Sequence, residues 1–111
     1  MTPAAFEAVA LALPGATLSV QWGGSDVYKV GGKVFAICGL AGGLSFKVSP
    51  IGFEVLTSGG PARQAPYLAK GHWVIVDLEP LESGDASDWI ATAHGLIAGK
   101  LTRKTRTELG L

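Results

Sequence analysis

Two adjacent glycines, Gly31 and Gly32, separate residues 26–30 from residues 33–38, both of them runs rich in β-branched and aromatic side chains. That spacing fits a tight antiparallel hairpin, because two glycines supply positive φ at both central positions of a two-residue turn. Such a turn fixes the pairing, with Val30 opposite Lys33, Lys29 opposite Val34 and Tyr28 opposite Phe35. One surface of the hairpin is then aromatic and is expected to pack inward. Its other surface carries smaller side chains and lysine.

The flanking segments extend this pattern. Thr2 is placed to cap a helix starting at Pro3, with Glu7 near the positive end of its dipole. Phe6, Val9, Ala10 and Leu13 form its apolar stripe, and Leu13-Pro14-Gly15 ends it. From Thr17 the period becomes two, with Leu18, Val20 and Trp22 on one side and Thr17, Ser19 and Gln21 on the other, as in a half-buried strand. Beyond the glycine-rich residues 39–43, Leu44, Phe46 and Val48 alternate with Ser45 and Lys47 as another strand. Ser49 and Pro50 then open a short helix with Phe53 and Leu56 inward. Residues 57–66 read as a loop and residues 72–78 as the last strand. Ser83 or Asp85 is expected to cap a long helix whose inner face carries Trp89, Ile90, Ala93, Leu96, Ile97 and Leu101. Residues 102–111 either extend that helix or form a separate terminal turn. The order α-β-β-β-β-α-β-α predicts an α+β fold, an antiparallel sheet with helices packed on one face.

A chain of 111 residues is expected to form a single domain, 1–111, burying about two thirds of its unfolded surface without staples. The lone Cys38 excludes an internal disulfide framework and a cysteine-based zinc finger. No run of 18 apolar residues occurs, and Met1-Thr2-Pro3-Ala4 lacks the features of a signal peptide, so a cytoplasmic chain with no membrane partner is expected.

Catalytic chemistry finds no foothold. His72 and His94 lie outside any HExxH or CxxC context, and Cys38 falls in an apolar strand, where an inert thiol is expected. Ser19, Ser45 and Ser49 have no nucleophile elbow, Asp77 and Glu79 read as surface acids, and neither glycine pair belongs to a phosphate loop. The expectation is a non-enzymatic domain with no catalytic residues, no metal and no cofactor.

Several strings, taken with the element order, resemble the MmcQ/YjbR family. They are Leu13-Pro14-Gly15-Ala16, Tyr28-Lys29-Val30-Gly31-Gly32-Lys33-Val34-Phe35-Ala36, Leu44-Ser45-Phe46-Lys47-Val48-Ser49-Pro50, and Ala65-Pro66-Tyr67-Leu68-Ala69-Lys70-Gly71-His72-Trp73-Val74, followed by the closing helix. The resemblance implies a frataxin-like (CyaY/YjbR-type) fold and a DNA-binding role. It matches the family's lysine pattern at Lys29, Lys33, Lys47 and Lys70 and its aromatic site at Trp73. The iron binding of frataxins is not implied, because the first helix carries Glu7 but no acidic ridge.

Charge is balanced in total, nine basic against nine acidic residues, but not along the chain. Residues 100–111 hold Lys100, Arg103, Lys104 and Arg106 against Glu108, so the tail is +3 and the remainder −3. Spacing puts Lys100, Arg103 and Lys104 on one helical face, a candidate phosphate anchor; the same cations would also complement a helix C-terminus. In the sheet, Lys29 and Lys47 are expected on the less aromatic face, Lys33 at the hairpin tip and Lys70 before Trp73. Lysines around an aromatic ring can hold phosphates while the ring stacks on a base. The competing reading makes the lysines solvated strand residues and Trp73 a core-edge side chain. The functional expectation is weak, mostly sequence-independent DNA binding through Lys29, Lys33, Lys47, Lys70, Trp73, Lys100, Arg103 and Lys104. The alternative is a protein-interaction or small-ligand module, which neutral net charge favours.

Overall fold

The computed structural model describes residues 1–111. Six strands, β1 (Ala16–Gln21), β2 (Ser25–Val30), β3 (Lys33–Cys38), β4 (Gly43–Lys47), β5 (Arg63–Gln64) and β6 (Trp73–Asp77), form one sheet in the order β1-β2-β3-β4-β6-β5. Every neighbouring pair is antiparallel. Four helices accompany it: α1 (Pro3–Leu11), α2 (Pro50–Thr57), α3 (Ser83–Ala98) and α4 (Arg103–Leu109). The architecture is the expected α+β one, with two elements more than the sequence reading: β5, inside the region read as loop, and α4.

Helix starts follow local chemistry. Thr2 and Ser49 accept hydrogen bonds from the amides of Ala5 (3.1 Å) and Gly52 (3.0 Å), and a proline opens each helix. The start of α3 departs from expectation. Neither Ser83 nor Asp85 caps it; Glu82 occupies the cap position without a side-chain bond, and Ser83 is already helical.

The core lies between the sheet and the helices. Tyr28, Val30, Phe35, Ala36, Leu44, Phe46, Val74 and Val76 from the strands meet Phe6, Ala10, Ile90, Ala93 and Ile97 from α1 and α3. Phe6 stands edge-on to Tyr28, and Phe46 stacks on Trp89. His94 is a satisfied core residue: its Nε2 lies 2.7 Å from the Pro14 carbonyl and its ring meets Phe35 edge-on. Burial pushes the Cys38 thiol above its ordinary range, with the Asp26 charge adding to the shift, as for an inert cysteine.

The hairpin turn forms as its glycines require, with φ of 59° at Gly31 and 77° at Gly32. Val30 pairs with Lys33 and Lys29 with Val34, but Tyr28 pairs with Ala36 instead of Phe35. A bulge between Tyr28 and Lys29 leaves Phe35 as the extra residue on β3. The inserted residue lets Phe35 and Ala36 both enter the core, where strict alternation would admit one. In β1 only Leu18 packs as expected. Val20 and Trp22 are 66% and 64% exposed. Trp22 has left the strand for a turn closed by a 3.2 Å bond from the Gly24 amide to the Gln21 carbonyl, with φ of 50° at Trp22 and 78° at Gly23.

Candidate functional site

Helices cover one face of the sheet, so the residues between the core positions look out from the other. One cross-strand row on that open face runs through Ser19, Val27, Ile37, Ser45, Ile75 and Arg63, each paired with the next. A parallel position, one pleat towards the Gly31–Gly32 turn, pairs Lys47 with Trp73. Lys29 shares this face, and Trp73 is half-buried within it.

The same turn marks one end of the sheet, where β2 and β4 finish and β3 and β6 begin. Lys29, Lys33 and Lys47 lie there on three adjacent strands, and Lys70 lies in the connection leading into β6. Leu101 brings the terminal segment to the same place: a β-carbon added to Gly31 would sit 2.6 Å from Leu101 Cδ1. Leu109, at the far end of α4, packs beside Gly15 at the start of β1, which is also at this end. Lys100, Arg103, Lys104 and Arg106 therefore join the sheet lysines, and of the nine basic residues only Arg63 stands apart. Asp26, Asp77, Glu79, Glu82 and Asp85 occupy the opposite end, where β6 finishes and α3 begins. Neutral as a whole, the molecule is polarised along its strands.

Lys47 registers this field. Partial burial depresses its pKa below the usual lysine value, and the nearby Lys100 charge adds to the effect. The structure thus brings the tail and sheet cations together, although not on one helical face. Helix α3 ends at Ala98, and Thr102 caps a new helix by accepting from the Thr105 amide at 3.2 Å, so Lys100 lies between helices while Arg103 and Lys104 open α4. Complementing a helix C-terminus therefore accounts for Arg106 but not for Arg103 and Lys104, which face the positive end of the dipole.

A groove of about 460 Å³ crosses the open face, and the sequence reading missed it. Its floor is Ile37, Ser45 and Ile75, and its sides include Trp22 and Tyr67. These two aromatics are the only non-glycine residues with positive φ, 50° and 65°, and both are exposed. Gln64 holds the Tyr67 loop: its Nε2 donates to the carbonyls of Ala65 (2.8 Å) and Leu68 (3.2 Å), and its Oε1 accepts from the Gly71 amide (3.0 Å). The available sequence signals were an aromatic directly before Gly23-Gly24 and another after Pro66 in a loop. A second cavity, about 240 Å³, lies on the helical side between α2 and α3, against Val55, Leu56 and Trp89.

No three His, Cys, Asp or Glu side chains gather as metal ligands, and no helix is long and apolar enough to cross a membrane. His72, Asp77 and Glu79 are exposed.

Residues 11–96 match the family model described as YjbR. The fold is similar to that of the Deinococcus radiodurans protein DR2400, a DUF419-domain structure, with a TM-score of 0.84 and 26% identity over 95% of this chain and 85% of that one. A Pseudomonas syringae protein shares the fold at a TM-score of 0.72 and 20% identity, over 87% of this chain and 99% of that one. No curated protein matches the sequence.

Proposed function

The chain belongs to the YjbR family, and on that footing we propose that it is a cytoplasmic, non-enzymatic domain that binds DNA weakly and with little sequence preference. The observation carrying this reading is the gathering of eight of nine cations at the hairpin end of a neutral molecule. A uniformly neutral surface gives a polyanion no purchase, whereas a polarised one presents a phosphate-binding end and turns its acidic end away. Lys29, Lys33, Lys47 and Lys70 neutralise phosphates, Trp73 stacks beside Lys47, and Lys100, Arg103 and Lys104 extend the contact. Phosphate contacts carry no sequence information, hence the weak base preference. The open-face groove favours the alternative of a small-ligand module, because its lining is largely apolar.

Fluorescence anisotropy with labelled DNA at about 50 and about 200 mM salt tests the proposal. Four phosphate contacts, those of Lys29, Lys33, Lys47 and Lys70, predict an affinity loss of about 50-fold on a single strand across that range, and contacts from Lys100, Arg103 and Lys104 steepen it. Replacing Lys29, Lys47 and Lys70 together by alanine should weaken binding at low salt and flatten this dependence. A salt-insensitive affinity, or a triple variant that binds like wild type, would overturn the assignment.

A further inference from the structure

The groove between Trp22 and Tyr67 has features that the basic end does not explain. Left-handed backbone is costly for bulky side chains, and such strain persists where a fold holds a residue for use. Here both strained aromatics face the same 460 Å³ space. Its lining, Ser25, Ile37, Ser45, Pro66, Leu68 and Ile75 with the two rings, contains no charged side chain. Ser45 is only 8% exposed, and its hydroxyl takes no part in the side-chain hydrogen bonds that order the neighbouring Gln64 loop. A site with aromatic sides, an aliphatic floor and neutral hydroxyls suits a flat, uncharged heteroaromatic ring.

Register ties the groove to the basic end. On β4 and β6 the Lys47–Trp73 pair is followed, one pleat further on the same face, by the Ser45–Ile75 pair of the groove floor. Two residues along a strand span about 6.6 Å, close to one nucleotide step of an extended single strand. We propose that the groove receives an unpaired base of single-stranded DNA, stacked against Trp22 and Tyr67, while the adjoining phosphates rest on the lysines of the hairpin end. This inference rests on the nucleic-acid reading above and adds to it a preference for single strands over duplex, because a paired base cannot enter the groove.

Anisotropy titrations with a labelled single-stranded thymidine oligomer and a duplex of equal length decide the matter, using Trp22→Ala, Tyr67→Ala and the lysine triple variant. Both aromatics are exposed, so their removal takes no side chain from the core. Tyr67→Gly, which also relieves the positive φ, serves as a second variant should Tyr67→Ala lose its native circular dichroism. Wild type should bind the single strand more tightly than the duplex. Each aromatic variant should lose about five-fold or more in single-strand affinity, with duplex affinity unchanged, while the lysine variant loses both. Aromatic variants that keep wild-type single-strand affinity, alongside a lysine variant that loses it, would overturn the groove assignment and leave DNA binding standing. Equal losses on single strand and duplex would also overturn it. Absence of binding to either DNA at about 50 mM salt would remove the nucleic-acid reading itself.

Discussion

Lys47 concentrates the physics of the basic end in one side chain. Its ammonium is partly desolvated, and Lys100 adds like charge, so both causes lower its pKa from 10.5. The linkage has a definite sign. Between the lowered pKa and 10.5 the unfolded chain binds the Lys47 proton and the folded chain has released it, so Lys47 makes stability rise with pH across that alkaline window. Below the window its unfavourable contribution is constant. Replacing Lys100 by glutamine should move the Lys47 pKa back towards 10.5 and flatten the rise; NMR titration of the lysine side chain and urea unfolding at stepped pH measure the two effects. A Lys47 pKa unchanged by that replacement would separate the two cations. Sequence reading placed Lys47 on the face away from the core because it alternates with Phe46 and Val48, and the structure puts it there. Trp22 escaped it for the opposite reason: alternation was continued one residue past Gln21, into a turn where φ turns positive.

Among the elements, the β2–β3 hairpin was the most legible, because two adjacent glycines determine a turn and a turn determines a register. The bulge at Phe35 was not, since no local signal marks it: the inserted residue turns Phe35 inward beside Ala36, edge-on to the His94 ring from a distant helix. Strand β5 was hidden for a related reason. Two residues, Arg63 and Gln64, have no periodicity, and pairing with β6 alone makes them a strand. Helix α4 yields a prediction of opposite signs. Arg103 and Lys104 sit in its first turn, where the dipole favours acids; Lys104 faces Glu108 one turn on, but Arg103 faces no acid, so Arg103→Glu should stabilise the fold by about 0.3–1 kcal/mol and weaken DNA binding. Chemical denaturation and anisotropy of the same variant measure both. If DNA affinity is unchanged, α4 has no part in the interface. If stability falls, the first-turn position does not disfavour Arg103, and the fold itself accounts for the cation there.

For the whole molecule the decisive property is polarity of charge, and composition conceals it. Equal numbers of acids and bases argue against a nucleic-acid partner until the topology sorts them. The sorting depends on contacts between distant parts of the chain, Leu101 against Gly31 and Leu109 beside Gly15, which a single sequence does not reveal. The lysine candidates were therefore legible individually, through strand alternation and turn placement, while their convergence with Lys100, Arg103 and Lys104 was not. The groove was less legible still, because its floor is a row of residues from three strands and its sides come from two loops.

The most direct measurement is a two-dimensional amide NMR titration of the labelled protein with a short single-stranded oligonucleotide at low salt. The hairpin-end reading predicts shift changes concentrated at Lys29, Lys33, Lys47, Trp73 and Lys100 and continuing through Ser45 and Ile75, with residues around Asp77 and Glu82 unmoved. Changes concentrated around Glu79, Glu82 and Asp85, or none at millimolar oligonucleotide, would contradict it.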